Sequence, residues 1–168
     1  MIASLLVALM FVGQGAVDAS PTQPKSPAAQ STSHSTNVLF LCPHGAAKSV
    51  LASAYFQRAA QERGLKVRVD AAGIDPQETV TPIVVEHLRQ NHYVLPVTKP
   101  RAVTRQDIQT ADVVVSMGCD LTGLPVGPEK LKRWDDVPGP SEDLAGADDV
   151  IRRRVSALVE ELIGRQRK

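Results

Sequence analysis

The stretch Asn37-Val38-Leu39-Phe40-Leu41-Cys42-Pro43-His44-Gly45-Ala46-Ala47-Lys48-Ser49 decides how this chain is read. It opens on a short apolar run ending at Cys42, the pattern of a strand buried on both faces. A loop of small and compact residues follows, then a cation, then a hydroxyl. Beyond Ser49 the sequence is rich in Ala, Leu, Gln and Arg as far as Arg63, which favours helix. A tight loop feeding a helix N-terminus turns backbone N–H groups toward an anion. The same positive setting favours the thiolate form of a cysteine at the strand end, and the Ser49 hydroxyl is spaced to donate to it. The expected arrangement is a nucleophilic sulfur, Cys42, beneath a bound tetrahedral oxyanion.

Strand and helix signals alternate outward from that point. Ala52, Phe56, Ala59 and Ala60 recur at helical spacing, and Gly64 stops that helix. Lys66-Val-Arg-Val-Asp-Ala71 alternates as a second strand. Thr81-Pro82 opens another helix, with a capping residue ahead of proline, and Ile83, Val84 and Leu88 give it an apolar side. Thr104 to Thr110 reads as a short helix. Ala111-Asp-Val-Val-Val-Ser-Met117 is a third, β-branched strand, and a weak fourth lies near Leu131 to Trp134. Ile151, Val155, Leu158 and Leu162 mark one face of a long final helix. Buried strands alternating with helices imply an α/β fold: a single-domain three-layer sandwich with a four-stranded parallel sheet flanked by helices. Ligands of such sheets bind beyond the carboxyl ends of the strands, where the Cys42 loop falls.

Composition narrows the function. In 168 residues, 43% are hydrophobic and 22% charged, which excludes wholesale disorder. Lys plus Arg number 19 against 18 Asp plus Glu, without the basic surplus that nucleic-acid binding needs. Two cysteines exclude a disulfide scaffold and a four-cysteine zinc site, and no histidine shows metal-ligand spacing. Residues 1–19 read as a signal peptide: an uncharged apolar run ends in Ala16-Val17-Asp18-Ala19, although no Lys or Arg precedes it. The run is short for a membrane span, so no stable span is expected in the mature chain. Residues 20–36 are mostly Ser, Thr and Pro and read as a flexible linker, leaving 37–168 as the catalytic domain. The protein is thus expected to be exported if the leader acts, otherwise cytoplasmic, and monomeric.

The pattern of Cys, five residues, basic residue and Ser between first strand and first helix resembles the low-molecular-weight protein tyrosine phosphatase superfamily, which includes thiol-dependent arsenate reductases. The resemblance continues through Ala71-Ala-Gly-Ile-Asp-Pro76, Ala111-Asp-Val-Val-Val-Ser-Met-Gly-Cys119-Asp and Trp134-Asp-Asp-Val-Pro138, and covers nearly all of 37–168. It implies that Cys42 attacks phosphorus to form a phosphocysteine. The backbone of His44, Gly45, Ala46, Ala47 and Lys48 would bind the phosphate oxygens, and Ser49 would steady the thiolate. A general acid is implied on the segment from Trp134 to Pro140, where it protonates the leaving oxygen. The implied partner is a phosphorylated substrate or another tetrahedral oxyanion such as arsenate. No cofactor, metal or nucleic acid is implied.

Three departures stand out. The superfamily's loop Arg is Lys48, a point charge where a planar fork would grip two oxygens. Losing that fork costs on the order of a few kcal/mol in the transition state. An Asp-Pro pair is usual on the acid loop; one alignment sets Gly139-Pro140 there and leaves no acid, while another favours Asp136 slightly over Asp135. The Cys42 loop and Ser116-Met-Gly-Cys119 also resemble the arsenate reductase branch. Cys119 would then be a redox partner of Cys42, but Gly123 lies near where some relatives carry a third cysteine. The leading expectation is a Cys-dependent phosphatase of aryl phosphates such as phosphotyrosine. A thiol-coupled arsenate reductase and an inactive oxyanion-binding module are the alternatives.

Overall fold

The computed structural model describes residues 35–167. The expected signal peptide and nearly all of the linker therefore lie outside the described residues. Four strands, β1 (Thr36–Cys42), β2 (Val67–Gly73), β3 (Val113–Ser116) and β4 (Leu131–Arg133), form one sheet in the order β2-β1-β3-β4. Every pairing is parallel. β1 begins at Thr36, one residue inside the expected linker, because Thr36 takes part in the ladder opposite Val67.

Helices α1 (Lys48–Glu62), α2 (Pro82–Gln90), α3 (Arg105–Thr110) and α4 (Leu144–Gln166) complete the fold. The strand period of two sorts β1 between two cores. Val38, Phe40 and Cys42 join a large cluster with α1, α2 and α4, whereas Leu39 and Leu41 join a smaller one with Ile108 of α3. Both sheet faces are thus covered, which is why the central strands β1 and β3 are largely apolar without a polar side, whereas the edge strand β2 exposes Arg68 and Asp70.

α1 is buried nearly all round its first two turns, from Ser49 to Phe56, since it lies between the sheet and α4. Gly64, at φ +65°, ends it, in a backbone conformation that favours glycine. Ile151, Val155, Leu158 and Leu162 are all buried, as their spacing requires. Two local expectations differ. Thr81 precedes α2, but its side chain makes no capping hydrogen bond. Ile83 is exposed, because the buried side of α2 runs through Val84 and Leu88. Among the described residues no helix is long and apolar enough to cross a membrane.

Candidate active site

β1 delivers Cys42 at its carboxyl end, on the face that α1 covers. Ser49, in the first turn of α1, brings its Oγ to 3.2 Å from Cys42 Sγ. Both residues are buried, with 3% and 0% of their surface exposed. The connection from β1 to α1 must reverse direction in five residues. Gly45 does so at φ +61°, and its backbone lies directly against Gly73 at the end of β2. A Cβ on Gly45 would fall 2.7 Å from Gly73 N, and one on Gly73 would fall 2.4 Å from Gly45 N. Neither position admits a side chain without moving backbone.

Residues 74–81 strap the loop from outside. The N–H groups of Ile74 and Asp75 both donate to Pro43 O at 2.9 Å, Gln77 N–H donates to His44 O at 3.1 Å, and Thr81 N–H donates to Ala46 O at 3.0 Å. His44 Nδ1 lies 3.1 Å from Asp75 O, so this side chain pins the strap. In a trans peptide the N–H points opposite to the preceding C=O. Drawing those carbonyls toward the strap therefore turns the amides of His44, Gly45 and Ala47 away from it. Gly45 N–H folds back on Cys42 O at 3.3 Å. α1 follows Ala47, which gives it no side-chain cap, and among the described residues no acceptor meets the N–H groups of Ala46, Ala47, Lys48 or Ser49. Uncapped donors at a helix N-terminus are a concentrated positive pole suited to a tetrahedral anion.

Lys48 joins this loop to its neighbours. Its Nζ donates to Val137 O at 3.3 Å and would lie 3.5 Å from a Cβ on Gly118. The ammonium therefore connects the loop after β1 with the segments that follow β3 and β4.

Both carboxylates expected on the acid loop have fixed partners. Asp135 accepts the Gly118 N–H at 2.9 Å and lies 3.7 Å from Arg133. Both oxygens of Asp136 lie 2.6 Å from one guanidinium nitrogen of Arg154 on α4. That guanidinium also sits over the Trp134 ring, 5.9 Å from its centroid. Hydrogen bonding to Arg154 holds the Asp136 carboxyl below the usual carboxylate range.

Cys119, in the segment after β3, packs in the smaller cluster, whereas Cys42 packs in the larger, and both cysteines are free thiols. Burial pushes the Cys119 thiol up to about 11, and the charge of Cys42 adds to that shift. Among the described residues, no group of three or more His, Cys, Asp or Glu side chains gathers to hold a metal ion. A cavity of about 560 Å³ opens near the amino-terminal ends of β1 and β2, lined by Asn37, Arg68, Asp70 and Asp107 among others, and belongs to a different part of the molecule.

The structure thus brings Cys42, Lys48, Ser49 and the loop from His44 to Ala47 together. Sequence reasoning missed the mutual dependence of Gly45 and Gly73, the strap at 74–81 and the Arg154 partner of Asp136. Only the glycine pair left a visible signal, a glycine two residues beyond the second strand pattern.

The family model described as low molecular weight phosphotyrosine protein phosphatase matches residues 37–123. A Halobacterium salinarum protein named for arsenate reduction is 28% identical over 136 residues, which are 78% of this chain and 96% of that protein. The protein-arginine-phosphatase of Bacillus subtilis is 33% identical over 84 residues, 48% of this chain and 55% of the relative. A protein tyrosine phosphatase structure from Entamoeba histolytica superposes with a TM-score of 0.69 at 19% identity, covering 77% of this chain and 98% of that one, and shares the fold. The family model takes in β1, the Cys42 loop, the strap and β3 as one ordered block, and by that match the chain belongs to the low-molecular-weight phosphotyrosine phosphatase family.

Proposed function

We propose that this protein is a cysteine-dependent phosphatase of phosphomonoesters, acting on aryl phosphates such as phosphotyrosine through a phosphocysteine intermediate. The carrying observation is the 3.2 Å contact of Ser49 Oγ with Cys42 Sγ at the start of a helix whose leading N–H donors lack acceptors. The Ser49 hydroxyl donates to the thiolate and steadies it for attack on phosphorus. The amides at 46–49 take the non-bridging oxygens as charge builds on them. The Lys48 ammonium adds positive charge at the rim. As the sulfur–phosphorus bond forms, the bond to the ester oxygen breaks, and that oxygen leaves with the electron pair and takes up a proton; water then attacks phosphorus, the phosphorus–sulfur bond breaks, phosphate leaves and the thiolate returns. This sequence draws on the protein's own groups and water.

The relative named for arsenate reduction favours a second reading, a thiol-coupled arsenate reductase. That chemistry needs another thiolate to attack the arseno-cysteine sulfur. Burial of Cys119 raises its thiol, which counts against this residue as the attacking thiolate and leaves an added small-molecule thiol as the second reactant of the reductase reading.

The test uses the full chain under reducing conditions with 4-nitrophenyl phosphate and a phosphotyrosine peptide. Turnover that disappears in Cys42→Ser supports the phosphatase. Arsenite release from arsenate with added thiol, dependent on Cys119 and without ester hydrolysis, replaces it with the reductase. Phosphate binding with neither reaction leaves an oxyanion-binding module. We further propose that residues 1–19 direct export, so that the mature chain begins near Ser20; intact-mass measurement of the secreted protein checks this, and an N-terminus still at Met1 refutes it.

A further inference from the structure

β2 is an outer strand of the sheet, and its far edge is covered at one end only. Thr36 N–H donates to Lys66 O at 3.2 Å, while Thr36 stands opposite Val67 in the register. In a parallel ladder the bonds of a residue go to the two neighbours of its partner, so Lys66, Arg68, Asp70 and Ala72 bond to β1. The residues between them turn their N–H and C=O groups outward. At Gly73 both outward groups are taken: its N–H donates to Arg101 O at 3.0 Å, and its C=O accepts Val103 N–H at 2.8 Å. Ala71 N–H donates to the Asp70 carboxylate at 2.8 Å. Among the described residues no backbone partner meets the outward groups of Val67 and Val69. Val67, Arg68, Val69 and Asp70 instead line the cavity of about 560 Å³. An unpaired strand edge beside open space is a template for another strand.

Charge says which strand fits. Arg68 and Asp70 are both exposed and, two residues apart, share one face of β2. Among the described residues Arg68 has no ion pair, and Asp70 is bound by Arg101 but remains half exposed. Consider the same edge of a second copy, antiparallel across a dyad at Val69. Val69 then faces Val69 of the other copy as a hydrogen-bonded pair, exchanging two N–H···O=C bonds through groups that point outward already. Arg68 of each copy faces Asp70 of the other as a non-hydrogen-bonded pair, the kind in which side chains come closest. Sliding the second copy by two residues opposes Arg68 to itself in one direction and Asp70 to itself in the other. Like charges directly opposite are destabilising, so charge selects the register centred on Val69.

We propose that the open edge of β2 pairs with the same edge of a second copy of this chain, forming an antiparallel homodimer centred on Val69 with an Arg68–Asp70 ion pair on each side of the dyad. This departs from the monomer expected of the sequence, and it stands independently of the phosphatase reading. Cys42 lies at the carboxyl end of β1, whereas the paired residues belong to the amino-terminal half of β2, so the dimer contact does not use the Cys42 loop.

The experiment is sedimentation equilibrium of the full chain, with reductant present so that no disulfide-linked species is counted, up to about 300 µM. The wild type passes from monomer to dimer over that range. Arg68→Asp turns both ion pairs into like-charge pairs and weakens association by at least about 100-fold, and Asp70→Arg does the same. Mixed in equal amounts, these two variants recover the dimer, because each supplies the charge that the other lacks at both positions. Val69→Pro removes the N–H at the dyad without removing a bond to β1, and proline is tolerated on the free side of an edge strand, so this variant is a folded monomer by circular dichroism. A wild-type chain that stays monomeric at about 300 µM, as it does if the residues ahead of Thr36 cover the edge themselves, overturns the proposal. So does a dimer that survives Arg68→Asp or Val69→Pro. Two folded charge variants that stay monomeric when mixed overturn the register.

Discussion

Ser49→Ala is the sharpest test of the site because it removes one atom and one interaction. Ser49 Oγ lies 3.2 Å from Cys42 Sγ, with both side chains buried and therefore little water to take the hydroxyl's place. A hydrogen bond to a charged group contributes about 1.5–3 kcal/mol, and more toward the upper end where solvent is excluded. At about 1.4 kcal/mol per decade this becomes a fall of roughly 10- to 150-fold in kcat/KM for an aryl phosphate. The vacated volume is that of one oxygen, so the thermal midpoint should move little. Inactivation by iodoacetamide needs the same thiolate and should slow in parallel. The assay pairs initial rates with alkylation rates, at one pH, on variants matched by circular dichroism. A Ser49→Ala enzyme within twofold of wild type in both rates would refute the claim that this hydroxyl steadies the sulfur.

Lys48→Arg should raise kcat on 4-nitrophenyl phosphate by about tenfold, because a guanidinium can fork onto two oxygens where the ammonium offers one charge; an unchanged or lower rate rules out lysine as the limiting feature. Cys119, pushed up to about 11, should alkylate at pH 8 about 100-fold more slowly in the folded chain than in urea, read by mass spectrometry of the labelled peptide. Asp148→Asn should cost about 1–3 kcal/mol in urea unfolding, since Asp148 accepts from Tyr55 and Arg152 and contacts His87. Burial alone would raise the Asp148 carboxyl, but the hydrogen bonds from Arg152 and Tyr55 outweigh it and hold it below its ordinary 3.8. A depressed carboxyl contributes stability that is present above the unfolded value and lost as pH falls through the folded one. The wild type should therefore lose stability more steeply than Asp148→Asn below about pH 4; parallel acid limbs would count against the network.

The architecture was legible where burial acts on a regular repeat. Val38 to Cys42 are apolar on both sides because helices cover both faces, and the α4 positions 151, 155, 158 and 162 are buried because one stripe must meet the sheet and α1. β4 was weak in the sequence for a physical reason: it is a three-residue edge strand, half-buried at Leu131 and Lys132 and exposed at Arg133. Ile83 misled because α2 meets the core along a narrow line, and hydrophobicity alone does not say which neighbour lies on it.

The site was legible only within one segment. Cys42, Lys48 and Ser49 are seven residues apart at most, so strand end, loop and helix start place them without help from elsewhere. The groups that complete the site arrive through long-range packing that no local pattern encodes. Asp136 looked available until Arg154, 18 residues on, was seen to bind it. The departures at Lys48 and on the acid loop are coupled in one physical respect. The cation at position 48 reaches Val137 O, on the segment that carries Asp135 and Asp136. A lysine in this position serves as a tether as well as a charge. Lys48→Met should then weaken catalysis most for the poorest leaving groups, because it loosens the segment that carries Asp135 and Asp136. Equal losses across all leaving groups would mean that the lysine acts on the phosphate alone.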